Sequence, residues 1–171
     1  MRVTASASAA WPDLVDELDR WEAAGRVAAL WWRDDDAVAA TPQLDALLRL
    51  AGDVPIALAV IPALARPDLC QSLESRPLVA VLQHGWKHAN RAVAGKKSEY
   101  PQGRPPRIVA AEIAAGQARL RALFGSRVLP VLVPPWNRFA AEHLPLLPAA
   151  GITGLSAMAP RRPVAAPTAG R

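Results

Sequence analysis

The chain has 171 residues, 51% of them hydrophobic, and carries a formal charge of +5. That supplies one buried core of ordinary size and excludes a disordered polypeptide. The positive charge comes mainly from arginines scattered along the chain, with no concentrated basic face for nucleic acid.

The longest apolar stretch, Val54 to Ala65, is broken by Pro55 and Pro62 and falls short of the roughly 20 residues that span a bilayer. Met1 to Ala10 lacks the continuous apolar segment of a secretory signal. A cytoplasmic location is therefore expected, without a nucleic-acid or membrane partner. The single cysteine, Cys70, offers no internal disulfide and no thiolate zinc site, and reads as a helix-face residue.

In chain order, Trp11 to Ala24 places Trp11, Leu14, Val15, Leu18 and Trp21 at helical spacing, with Pro12 near the start and Gly25 as a stop. Val27 to Trp32 reads as a short strand, and Thr41 with Pro42 opens a helix that runs through Ala51 to Gly52. Ile56 to Ile61 predicts a second strand, Asp68 to Leu73 a short helix, and Leu78 to Gln83 a third strand. After a long polar loop come a helix over Arg107 to Phe124, a strand over Val128 to Val133, a weakly helical Ala140 to Leu147, and a short strand within Ile152 to Ser156. Continuous apolar strands alternating with helices argue for an α/β fold with a parallel sheet, either a β/α barrel or an open doubly wound sheet. One domain is expected over residues 1–159, with a poorly ordered tail over residues 160–171.

Unusual polar groups fall after the predicted strands: Asp34, Asp35 and Asp36 after the first, His84 and His88 after the third, Pro134 to Arg138 after the fourth. In a parallel sheet these positions converge on one rim, where such folds place their sites. Three consecutive carboxylates repel one another unless a cation compensates them. Two imidazoles four residues apart come to one side of a helical turn, within reach of one ion. A carboxylate with two imidazoles suits zinc best and accepts other first-row divalent ions. A water at the open coordination position, with a second carboxylate as base, could attack an amide or ester carbonyl.

These residues resemble the polysaccharide deacetylase, or NodB-homology, family, whose first motif is an Asp-Asp pair after a strand and whose second is His-x-x-x-His. The resemblance spans about Val27 to Ser156. It implies a barrel of the NodB-homology type, here incomplete or distorted, and hydrolytic removal of an N-acetyl or similar acyl group from an amino sugar or polysaccharide. By resemblance one divalent ion is held by Asp36, His84 and His88, with Asp35 as catalytic base. An alternative register starts the pair at Asp34 and shifts each role by one residue.

The family's third motif, Arg-x-Pro-aromatic-Gly, is similar to Val133-Pro134-Pro135-Trp136-Asn137, with Val in place of Arg and Asn in place of Gly. Pro135, Trp136, Asn137 and Arg138 are thereby expected at the substrate and oxyanion side, Arg138 taking part of the missing arginine's role. The family's C-terminal histidine motif is not found, and His143 reads as surface or structural. A non-catalytic relative that binds a metal or saccharide is the alternative, and exposed sheet edges make self-association a further expectation.

Overall fold

The computed structural model describes residues 11–27 and 29–157, and the chain divides into two compact units, Met1–Trp31 and Trp32–Arg171. The first unit contains α1 (Pro12–Ala23), capped by no side chain and fixed by Glu17, which accepts from Arg20 and from the Trp21 indole. Its apolar positions follow helical spacing, yet none of its side chains is buried. Residues 160–171 lie outside the described residues.

The second unit is built on five strands, β1 (Arg33–Ala37), β2 (Ile56–Val60), β3 (Val79–His84), β4 (Val128–Val133) and β5 (Gly154–Leu155). They stand in chain order, each parallel to its neighbour. Helices α2 (Pro42–Ala51), α3 (Pro67–Leu73) and α4 (Pro106–Phe124) form the crossovers that parallel pairing requires. Sequential order in a parallel sheet is the topology of a β/α barrel wall, and β1 and β5 form the two edges among the described residues.

The strongest sequence signals land closely. Thr41 Oγ1 accepts from Leu44 N at 3.1 Å and caps α2, with Pro42 behind it and Gly52 at φ 52° ending it. In α4, Val109, Ile113, Gly116, Gln117, Leu120 and Phe124 repeat at helical spacing and form its buried stripe. β2 is buried along its whole length. Ile56, Leu58 and Val60 pack into the core shared with α2, α3 and α4, while Ala57 and Ala59 face the opposite side with Leu82 and Val133.

The first strand differs from its expected position. Ala29 to Trp32 lie outside regular structure and β1 begins at Arg33, so the three aspartates are on the strand and not beyond it. Pairing reaches only the end of the apolar run, where Ala57 N donates to Trp32 O at 2.9 Å. Trp31 is 59% exposed, whereas Trp32 packs against the core. The segment expected to be weakly helical forms short 3-10 turns over Ala141–Leu146 and Pro148–Ala150, because Pro145 and Pro148 interrupt α-helical hydrogen bonding. Among the described residues no helix is long and apolar enough to cross a membrane.

Candidate metal centre

Parallel strands put all C-terminal ends on one rim, and the centre is assembled there from β1 and β3 with a loop after β4. β1 carries an irregular register between Asp34 and Ala37, and Asp36 adopts φ 69°. Such a bulge turns one residue out of the alternation and re-aims its side chain. Asp36 Oδ1 thereby reaches 3.1 Å from His84 Nε2 and 3.3 Å from His88 Nε2. One ligand atom from each of the three residues lies within 4.8 Å of the others.

His84 is the last residue of β3 and is buried. The helical turn expected for His84 to His88 is absent: Gly85 at φ 59° breaks the strand, and a bend returns His88 at φ 55° to the same rim. A side chain at Gly85 is impossible without displacement, since its Cβ would overlap Glu99 Oε2 and come within 2.7 Å of the Pro135 ring. Glu99, almost wholly buried, accepts from Trp86 N at 3.0 Å, Lys87 N at 2.8 Å and Ala89 N at 3.3 Å. Its carboxylate sits in a nest of backbone N–H groups and holds the bend that presents His88.

His84 Nδ1 lies 2.9 Å from Val133 O. A carbonyl only accepts, so Nδ1 carries a proton, and in the neutral imidazole Nε2 turns a lone pair toward Asp36. Acceptor then faces acceptor at 3.1 Å. A cation between them resolves that conflict, and donors about 3 Å apart match metal–ligand bonds of about 2.0–2.2 Å. The donor set therefore fits a divalent ion.

Asp35 does not join the cluster. Arg33 Nε lies 2.7 Å from Asp35 Oδ1, and Arg33 Nη2 donates to Asp35 Oδ2 at 3.0 Å. Arg33 is anchored in turn, Nη1 donating to Ser156 Oγ at 2.6 Å and Nη2 to Asn137 Oδ1 at 3.3 Å. Asp34 is partly buried, and burial first, then the charges of Asp35 and Asp36, push its carboxyl above the usual range. The geometry thus groups Asp36, and neither Asp34 nor Asp35, with the two imidazoles.

After β4, Pro135–Asn137 forms a tight 3-10 turn with Trp136 and Asn137 both at φ 56°. The Trp136 ring packs 4.4 Å from the His88 ring, tilted by 50°. Arg138, expected to take part of the missing arginine's role, donates from Nη1 to Lys97 O at 3.1 Å and pairs with no carboxylate among the described residues. His143 is fully buried rather than on the surface, with Nε2 3.0 Å from Pro101 O, in a structural position.

Arg33 and Glu99 were missed by sequence reasoning. The signal for Arg33 was its place two residues before Asp35 on a strand, where both side chains point to the same face. Glu99 carried no signal, because its partners are backbone amides ten or more residues away.

No protein-family model matches the chain, and no curated protein matches it. Solved structures do. The deacetylase PplD from Streptococcus pyogenes in complex with acetate superposes with a TM-score of 0.56 at 15% identity, covering 80% of this chain and 60% of its own. IcaB from Ammonifex degensii gives 0.61 at 15% identity over 76% of this chain and 60% of its own. The family 4 carbohydrate esterase from Streptomyces lividans in complex with acetate gives 0.55 at 17% identity over 74% and 61%. The chain thus spans about three-fifths of the length of these structures. Over that span its parallel sheet and helices share the α/β fold of these structures, among them a deacetylase and a carbohydrate esterase.

Proposed function

We propose that the chain is a metal-dependent hydrolase that removes an N-acetyl or similar acyl group from an amino sugar or polysaccharide. The carrying observation is the convergence of Asp36 Oδ1 with His84 Nε2 at 3.1 Å and His88 Nε2 at 3.3 Å on one rim of the sheet. Asp36, His84 and His88 would hold the ion, zinc being the best match to this donor set. When bound, a divalent ion there lowers the pKa of a water and polarises the acyl carbonyl.

Asp35 accepts the proton of the attacking water at a carboxylate oxygen and returns it to the leaving amine, so that water and amide become carboxylic acid and amine. Arg33 fixes the orientation of Asp35 from the same strand. The turn Pro135, Trp136 and Asn137 frames the carbonyl side, Trp136 offering a backbone N–H to the developing oxyanion. Acetate in two of the similar structures is the product such a reaction would release.

A second reading, a binding protein without turnover, is favoured by one observation. His143 is buried against Pro101 O and offers no proton to a leaving group. Elemental analysis of wild type and of the His84→Ala, His88→Ala double variant, with acetate release from N-acetylated oligosaccharides, separates the readings. One metal per chain, lost in the variant, with acetate released supports the hydrolase. Metal without acetate supports the binding protein, and no metal in either form overturns both.

A further inference from the structure

Beside the metal centre lies a cavity of about 780 Å³ between the 91–104 loop and Asn137–Ala140. Arg91, Lys96, Arg104 and Arg138 line it, and no carboxylate does. Arg104 is neutralised, its guanidinium making two 2.7 Å bonds to Glu112. No carboxylate among the described residues pairs with Arg91, Lys96 or Arg138.

The wall carrying these charges is organised. Arg91 N donates to Ser98 O at 2.7 Å, and Asn90 Oδ1 accepts from Ala92 N at 3.1 Å and Ser98 N at 3.0 Å, closing the loop on itself. Arg138 Nη1 donates to Lys97 O and Ser98 Oγ to Arg138 O, which fastens the loop to the turn after β4. That turn is also part of the centre. Asn137, on the cavity wall, accepts from the Arg33 that holds Asp35, and Trp136 packs on His88. The cavity and the centre therefore share one wall.

Like charges around a concavity repel one another and focus a positive field into it. Three cations without anionic partners among the described residues, held on an ordered loop and on the turn to which it is fastened, are explained by a negatively charged group on the substrate. We propose that this cavity is the subsite for an anionic substituent, a carboxylate or a phosphate, on the saccharide whose acyl group is removed at Asp36, His84 and His88. The proposal rests on the hydrolase reading above and adds the substrate's charge to it.

The test compares three N-acetylglucosamine tetramers, one neutral, one carrying carboxylates and one carrying phosphates, on the metal-loaded full chain. Wild type is expected to prefer an anionic tetramer in kcat/KM, through KM and with a preference that fades as salt rises. The Arg91→Glu, Lys96→Glu variant should raise KM for that tetramer roughly five- to tenfold and leave the neutral one unchanged, the size expected for reversing two exposed charges. Which anionic tetramer responds identifies the group.

Acetate released equally from all three, with no response to the variant, overturns the subsite and leaves the hydrolase standing. If none is hydrolysed, calorimetric binding of the same tetramers decides. Tighter binding of an anionic tetramer, weakened in the variant, upholds the subsite while the hydrolase reading fails; equal binding of all three overturns it.

Discussion

Asp35 and Asp36 are neighbours in the chain with opposite surroundings, one against a guanidinium and the other against two imidazoles. The bulge in β1 is what separates them. Arg33 holds Asp35 from two residues away on the same strand. Arg33→Ala is expected to lower kcat of the metal-loaded protein by on the order of 10- to 100-fold with little change in metal content, and Arg33→Lys to recover part of it. Steady-state kinetics beside elemental analysis check this, and unchanged kcat would remove Arg33 from the mechanism. Glu99 acts one layer further out. Glu99→Ala releases three backbone N–H groups and with them the bend that presents His88, so metal affinity measured by chelator competition should fall about 10- to 100-fold. Glu99→Gln, which keeps one acceptor oxygen, should lie between.

At the scale of elements, much of the fold was legible because its signals are local. Thr41-Pro42 with Gly52 delimits α2, and the stripe from Val109 to Phe124 delimits α4. β4 falls on the residues expected of it, since an apolar run bounded by turns needs no distant partner to be recognised. The first strand was read too early for a physical reason. Arg33 to Asp36 look unfit for a sheet until the ion pair and the imidazoles that compensate them are known, and those partners lie on other elements. The histidine pair was recognised by spacing although its geometry is a bend, because four residues return the chain to one side in either form. Pro135 meets Glu99 at Gly85, which is where the β3 and β4 loops lock together. Gly85→Ala, strained by a positive φ and by that overlap, should cost roughly 2–4 kcal/mol of stability and abolish metal binding together. Thermal melts and metal titration of the one variant check both, and retained metal affinity would break the link.

For the whole molecule, a deeply placed titrating group is Tyr100, fully buried edge-on to Phe139 with no partner for its hydroxyl among the described residues. Burial first, and then the charges of Glu99 and Glu112, push its pKa well above the ordinary tyrosine value. The folded state thus keeps the phenol proton that the unfolded chain releases. The stability that this group contributes is present below about pH 10 and is lost as pH rises beyond it. Tyr100→Phe should flatten that alkaline decline and leave neutral-pH stability unchanged or slightly higher, because it removes an unsatisfied buried hydroxyl. Urea unfolding at pH 8 and pH 11 measures both slopes.

The strand order carries one more consequence. Among the described residues Asp36 belongs to an edge strand, while His84 ends β3 and His88 follows it, with β2 between. An ion at this centre is therefore a staple across three strands. β1 has one paired neighbour among the described residues, and a ligand bond made by Asp36 would tie it past that neighbour to the middle of the sheet. Losing the ion would remove that tie from the strand that carries Asp35. Catalytic shutdown and the opening of the sheet's edge would then be a single event, and demetallation would make the protein vulnerable to proteolysis at the same place where it falls silent.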